Sequence, residues 1–327
     1  MATIGYSAAL EQFHPNDLLH YCQLAEQHGF QGVMAADHFQ PWVPQQGHNA
    51  FVYAWMGALG VTTSHTFGPG VTCPCFRYHP AVIAQAAATL AAMFPGRFWL
   101  GLGSGEALNE HVVGGVWPEP LERMEMLIES VDLVQKLLSG NPARYRGRYF
   151  TMEKVQLYTL PPVPPPIYIA ATGPQTVRFA GKTCAGLITP GANHEKLQAI
   201  LNNFNQSARD AGRDPITLRR LLQLHVSWAR TDEEALQYAL TEWPNGGMAF
   251  PKQDIRTPED FAAIARLVRP EHFTGRVLIS ADLEAHRRHL QGFIDLGFDE
   301  IYVHNVGRNQ EEFLRVFGAE VLPSLHP

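Results

Sequence analysis

Asp37 and His38 stand side by side at the end of an apolar run, Gly32-Val-Met-Ala-Ala, and are followed by Phe39-Gln40-Pro41-Trp42. An imidazole titrates near neutrality, so His38 can take a proton from a carbinol or from water. Asp37 can orient that ring or contact a cofactor. The plainer reading of the pair is a capped loop with His38 packed on Phe39. A second group is Gly101-Leu-Gly103-Ser104-Gly105-Glu106-Ala-Leu-Asn109-Glu110-His111. Its glycines let backbone approach a planar or phosphorylated ligand. It is a weak dinucleotide-binding fingerprint, because no acidic residue follows at the required place in a βαβ unit. Glu106 and Glu110 fall one helical turn apart beside His111, but no further ligands follow at matching spacing, and no metal is expected.

A third group, Ala170-Ala171-Thr172-Gly173-Pro174, opens a strand end onto a helix N-terminus that can hold an anion, or simply makes a tight turn. Gly70-Val71-Thr72 ends another strand with the same ambiguity. His286-x-x-His289 reads as two surface histidines of a helix.

The elements that must position these groups alternate short apolar strands with longer amphipathic segments. Strands are predicted at Thr3–Ala9, Gly32–Asp37, Phe67–Thr72, Phe98–Gly103, Ile167–Thr172, Gly186–Thr189, Leu221–Trp228 and Glu300–Asn305. A ninth, Arg276–Ser280, is placed in an insertion. Helices are predicted at Pro15–His28, Pro80–Met93, Leu121–Leu138, Glu195–Ala211, Asp232–Glu242 and Leu283–Leu296. Sustained βα alternation over this length favours closure over a doubly wound sheet. The expected fold is therefore α/β, a (β/α)₈ TIM barrel forming one domain over 1–327, with insertions after strands 4 and 7. Within the first insertion, Tyr145–Pro166 alternates like a hairpin and ends in prolines. The second, Trp243–Thr274, is long enough to serve as a lid or substrate loop. In a barrel the strand ends face one side, which would bring His38, Gly70–Thr72, Gly103–Glu106 and Ala171–Gly173 together.

Composition narrows the function. The 327 residues are 46% hydrophobic and 17% charged, with a formal net charge of −6. Nucleic acid and anionic membrane surfaces need clustered cation, which is missing here. The start, MATIGYSAALEQF, lacks the basic-then-apolar order of a signal peptide, and no apolar run reaches the ~18 residues of a membrane helix. Cys22, Cys73, Cys75 and Cys184 fit no redox or zinc spacing and read as reduced packing residues of a cytoplasmic protein.

Four stretches, ADHFQPW (36–42), FRYHPAVIAQA (76–86), GSGEALNE (103–110) and YIAATGP (168–174), closely resemble the deazaflavin-dependent glucose-6-phosphate dehydrogenase family, a branch of the luciferase-like oxidoreductases. The opening GYSAALEQF, Val303-His304 and Phe313-Leu314 fit as well. The resemblance implies a dimeric barrel that binds coenzyme F420 and passes a hydride between a substrate CH–OH or carbonyl carbon and the ring. GRFWLGLGSGEALNEH and HNVGRNQEEF are similar to a neighbouring subgroup associated with FMN, which stands as the alternative cofactor.

Carried over, the resemblance implies His38 as base and Glu106 as proton donor, with Trp42 and Glu11 lining the pocket. It implies Asp37, Gly70, Val71, Cys73, Ser104, Gly105, Asn109, Ala171, Thr172 and Gly173 at the cofactor, and a non-prolyl cis peptide near Gly70-Val71. Lys252, Arg276 and His304 would meet the substrate. The Thr189–Asn193 stretch has no lysine where sugar-phosphate enzymes carry one, which weakens glucose 6-phosphate as substrate. Three other readings stand beside this one: an FMN-dependent monooxygenase or reductase, a barrel hydrolase using Asp37 and Glu106, and a flavin-binding protein without catalysis.

Overall fold

The computed structural model describes residues 2–326. Eight parallel strands close on themselves: β1 (Thr3–Ala8), β2 (Gly32–Ala35), β3 (Thr66–Pro69), β4 (Leu100–Leu102), β7 (Ile167–Ala170), β8 (Gly186–Pro190), β9 (Arg219–Ser227) and β11 (Glu300–Asn305). β11 pairs with β1, and β3 meets β4 through bridges at Phe67–Phe98 and Thr72–Leu102, which completes the ring. β5 (Ala143–Arg146) and β6 (Thr151–Val155) form the antiparallel hairpin expected after the fourth barrel strand. β10 (Leu278–Ile279) is the ninth strand of the main sheet. It falls within the predicted Arg276–Ser280, lies outside the ring as expected, and pairs beside β9 through Val226 and Ser227.

Side-chain alternation along the strands builds two cores. Met34, Trp99, Tyr168, Ile188, Leu221 and Tyr302 point inward and fill the barrel. Large rings fit there because neighbouring strands carry glycine: a methyl on Gly68 would strike Trp99, and one on Gly5 would strike Tyr302. Their outward neighbours, such as Val33, Phe67, Leu102, Ile169, Leu187, Leu222 and Val303, pack beneath the helices.

The expected helices form as α1 (Pro15–Gln27), α3 (Pro80–Met93), α5 (Pro120–Leu138), α7 (His194–Asp210), α8 (Asp232–Glu242) and α10 (Leu283–Asp295). Four more helices were not expected: α2 (Val52–Thr62), α4 (Ala107–Glu110), α9 (Pro258–Ala265) and α11 (Gln310–Val316). α6 (Pro174–Thr183) starts where the small-residue strand end predicted a helix N-terminus. The histidines of α10 depart from expectation: His286 is buried, with Nε2 2.9 Å from the Ser280 carbonyl, and His289 is half-buried against Phe293. α10 turns that side onto the barrel, so neither histidine is a surface residue.

The second insertion has its own core over the strand-end face of the barrel. Trp243, Met248, Phe261 and Phe273 pack with Trp42, Val43 and Leu108 from the loops after β2 and β4. The two insertions are also pinned together. Ala107 N–H donates to the Gln253 carbonyl at 2.7 Å, and Asp254 takes the Trp117 indole at 2.9 Å and Arg123 at 3.3 Å. The effect is to fix Lys252 beside the strand ends. No helix among the described residues is long and apolar enough to cross a membrane.

Candidate active site

His38 sits at the centre of the strand-end face. Glu11 Oε1 lies 3.1 Å from its Nδ1, Glu106 Oε2 lies 3.9 Å from its Nε2, and the Trp42 ring meets it edge-on with centroids 5.1 Å apart. Only 12% of the His38 side chain is exposed, against 27% for Glu106. Burial pulls the imidazole down, but the Glu11 and Glu106 carboxylates outweigh it and leave His38 above its usual value. Glu106 is pushed up by burial, against the opposing pull of His38 and Lys252. These shifts favour a proton held between the two groups. Lys252 lies over the Trp42 ring at 5.6 Å and donates to the Asn245 carbonyl at 2.8 Å. Trp42 is anchored in turn by its own N–H, which donates to Gln46 at 2.8 Å, and by Phe261.

Asp37, the neighbour of His38, faces away from this group and is buried. Its carboxylate accepts from Thr72 at 2.9 Å and from Tyr78 at 3.1 Å, and Arg77 lies at 3.0 Å. Arg77 also donates to the Asp37 carbonyl, and its backbone N–H donates to Glu110 at 3.1 Å. Asp37 therefore ties the β2 and β3 loops together. Its carboxylate is held by Thr72, Tyr78 and Arg77, whereas Glu106 meets His38. Glu110, which the sequence offered only as a poor metal ligand, is a member of this buried cluster. Among the described residues no group of three His, Cys, Asp or Glu side chains could hold a metal ion.

The rim beside His38 is poor in side chains. A methyl on Gly103 would come within 2.6 Å of Val71 and 3.6 Å of Ala170, and one on Gly105 within 2.7 Å of the Cys73 sulfur. These distances place the β3, β4 and β7 ends together. Gly70-Val71 is cis, as the resemblance implied. Gly105 has φ +81°, a conformation that favours glycine. Ser104 is half-buried; Thr172 and Gly173 are exposed at the start of α6, and nothing lies within 4 Å of a side chain added at Gly173. Asn109 does not reach outward: its Oδ1 accepts from the backbone N–H of Phe39 and Gln40 at 2.9 and 3.3 Å, locking the loop that carries His38. Cys73 is buried, and burial pushes its thiol up.

The substrate side departs more from expectation. His304 is buried with both ring nitrogens engaged, by His225 at 2.9 Å and Gln12 at 2.8 Å. Direct contact with a substrate is closed to it. His225, on the inward face of β9, was missed by sequence reasoning, and the only signal was its period-2 register with Leu221 and Gln223. Arg276 lines a cavity of about 520 Å³ together with Ala192, Asp232 and His289.

The model for luciferase-like monooxygenases matches residues 2–300. An F420-dependent glucose-6-phosphate dehydrogenase from Microbacterium testaceum is 37% identical over 98% of this chain and 96% of its own length. A solved structure of an F420-dependent secondary alcohol dehydrogenase in complex with an F420-acetone adduct superposes with TM-score 0.94 at 31% identity, covering 100% of this chain and 99% of that one. The FMN complex of the oxygenating constituent of 3,6-diketocamphane monooxygenase from Pseudomonas putida shares the fold alone, at TM-score 0.73 and 17% identity over 100% and 99% of the two chains. The chain belongs to the luciferase-like monooxygenase family, alongside the F420-dependent glucose-6-phosphate dehydrogenases.

Proposed function

We propose that this chain is an F420-dependent oxidoreductase that interconverts an alcohol and its carbonyl compound. The observation that carries the reading is His38, set between two carboxylates and a tryptophan beside a rim almost free of side chains. That rim fits a flat ring: Val71, Gly103 and Ala170 leave a smooth wall, and Ser104, Gly105, Thr172 and Gly173 offer small side chains and backbone where α6 begins, suited to an anionic tail. Deazaflavin supplies a two-electron hydride acceptor. The fully or 98%-covered relatives at 31–37% identity are named for F420, which favours it over FMN.

Oxidation of CH–OH to C=O releases a hydride and a proton. His38 Nε2 is the proton acceptor, and Glu11 at Nδ1 stabilises the resulting imidazolium. Glu106 holds a proton on the other side of the same space, with its carboxyl raised by burial. Trp42 and the lid excluding water around it raise the strength of these interactions. Asp37 and Asn109 contribute by fixing the loops with their side-chain oxygens rather than by touching the ligand.

The substrate is an uncharged alcohol in this reading. Lys252 is already engaged at Asn245 and Trp42, and the Thr189–Asn193 stretch carries no lysine, so a phosphate dianion finds few of the donors it needs. The family resemblance adds a homodimer, and the scattered cysteines, all free and buried, fit the cytoplasm. Titration of the purified protein with F420 and FMN in parallel, followed by absorbance, tests the cofactor. F420 is expected to bind the more tightly; binding of neither ends the proposal, and tighter FMN binding transfers it to the flavin reading.

A further inference from the structure

The chain of hydrogen bonds behind the site fixes which nitrogen of His225 is free. Gln12 Nε2 donates to the Val306 carbonyl at 3.0 Å, so the Gln12 Oε1 that faces His304 is an acceptor. His304 Nε2 must then carry a hydrogen. Burial, and His225 next to it, hold His304 far below its usual range, so the ring is neutral and its Nδ1 is bare. The 2.9 Å contact between the two Nδ1 atoms therefore requires a hydrogen on His225 Nδ1. His225 is likewise neutral, held down to about 4 by burial and by Lys252. Its Nε2 is left as a lone-pair acceptor. That atom has no protein partner among the described residues and is not among the sealed, unpartnered polar atoms, so it reaches open space. His225 points into the mouth of the barrel, its ring tilted 40° against Trp243 at 5.2 Å; Trp243 shares a core with Trp42, and the charges of Lys252 and Glu11 reach His225.

His38 already takes the proton of the reacting hydroxyl, so an acceptor on a different strand addresses a different donor. We propose that His225 Nε2 receives a hydrogen bond from a second substrate hydroxyl, which makes the preferred substrate a diol or polyol instead of a simple monoalcohol. The Gln12–His304 pair acts as a positioning device that keeps His225 in the accepting tautomer. The proposal rests on the reading of the cleft as an alcohol site.

Two measurements test it. In ¹⁵N-histidine spectra of the whole protein, His225 is expected protonated at Nδ1 and bare at Nε2, with His304 protonated at Nε2, and addition of 1,2-propanediol is expected to move the His225 Nε2 resonance. In calorimetric titrations of the F420-loaded protein, 1,2-propanediol is expected to bind about tenfold more tightly than 2-propanol, the size of one well-placed hydrogen bond in a dry site. His225→Phe is expected to erase that ratio, and His225→Gln, whose amide oxygen can reach the Nε2 position, to retain most of it. A hydrogen on His225 Nε2, no preference in the wild type, or a ratio untouched by His225→Phe overturns the proposal. Failure to bind F420 refutes the cofactor assignment separately, and the diol-induced resonance shift then decides on His225 alone.

Discussion

At the scale of single residues, the division of labour between His38 and its two carboxylates sets measurable limits. Replacing His38 by Ala removes the proton acceptor and leaves the glycine rim intact. Turnover is expected to fall about 10²- to 10⁴-fold with F420 affinity nearly unchanged, measured by steady-state kinetics beside a binding titration. Equal loss of both would mean that His38 serves the fold. Alcohol oxidation needs a bare imidazole, and His38 is raised above its usual 6.5, so kcat/KM should climb with pH through a value above that. Because His38 and Glu106 lie 3.9 Å apart, the apparent value of this limb belongs to the pair and not to either residue. Glu11→Gln deletes the charge 3.1 Å from Nδ1, and the acid limb is expected to move to lower pH. His38, Glu106 and Trp42 were legible in the sequence because each follows a strand end with a residue type suited to proton transfer or stacking. His225 was not, since a lone histidine inside a strand has the same signature as any packed one.

At the scale of elements, the Asp37–Arg77–Glu110 cluster joins the loops after β2, β3 and β4, and its electrostatics should appear in stability. Burial raises Glu110 to about 7 despite Arg77. A group raised in the folded state contributes stability that is complete below its unfolded value, near the usual 4.5, and disappears as pH rises through about 7. The difference corresponds to roughly 3 kcal/mol. Urea unfolding is expected to show the wild type weakening between about pH 5 and pH 8, with a flatter profile for Glu110→Gln. A parallel decline in both would assign the pH dependence elsewhere. The strand ends show a second kind of constraint: a methyl on Gly101 would collide with the Pro69 carbonyl of the adjacent strand. Gly101→Ala is expected to cost about 1–3 kcal/mol in the same assay. Most barrel strands were readable, because runs such as Gly32–Ala35 are apolar on both faces and sit between helical patterns. α2 was not. Its sequence, VYAWMGALGVT, is apolar almost all round and lacks the one-sided stripe that marks a surface helix.

At the scale of the whole molecule, the insertion after β9 packs over the loops after β2 and β4, and the sequence announced its position but not its charge arrangement. That arrangement depends on contacts across the insertion: Lys252 is drawn to Trp42 and Asn245, and Arg276 opens into the cavity with Asp232 and Ala192. His289 adds no cation, because burial and the nearby His286 and His194 hold it down to about 4. Arg276 is the one cation and Asp232 the one carboxylate among the residues that line this cavity, which leaves it little net attraction for an anion. Glucose 6-phosphate should therefore bind weakly, and inorganic phosphate should compete poorly with a neutral alcohol. Ala192→Lys would place an ammonium on the wall that also carries Arg276, giving a phosphate group two charge-assisted partners. Calorimetry is expected to show glucose 6-phosphate binding at least about tenfold more tightly to the variant, with a steeper dependence on salt. Tight binding by the wild type would show instead that Lys252 leaves Asn245 when an anion arrives, and that the lid closes into a basic site that its resting arrangement hides.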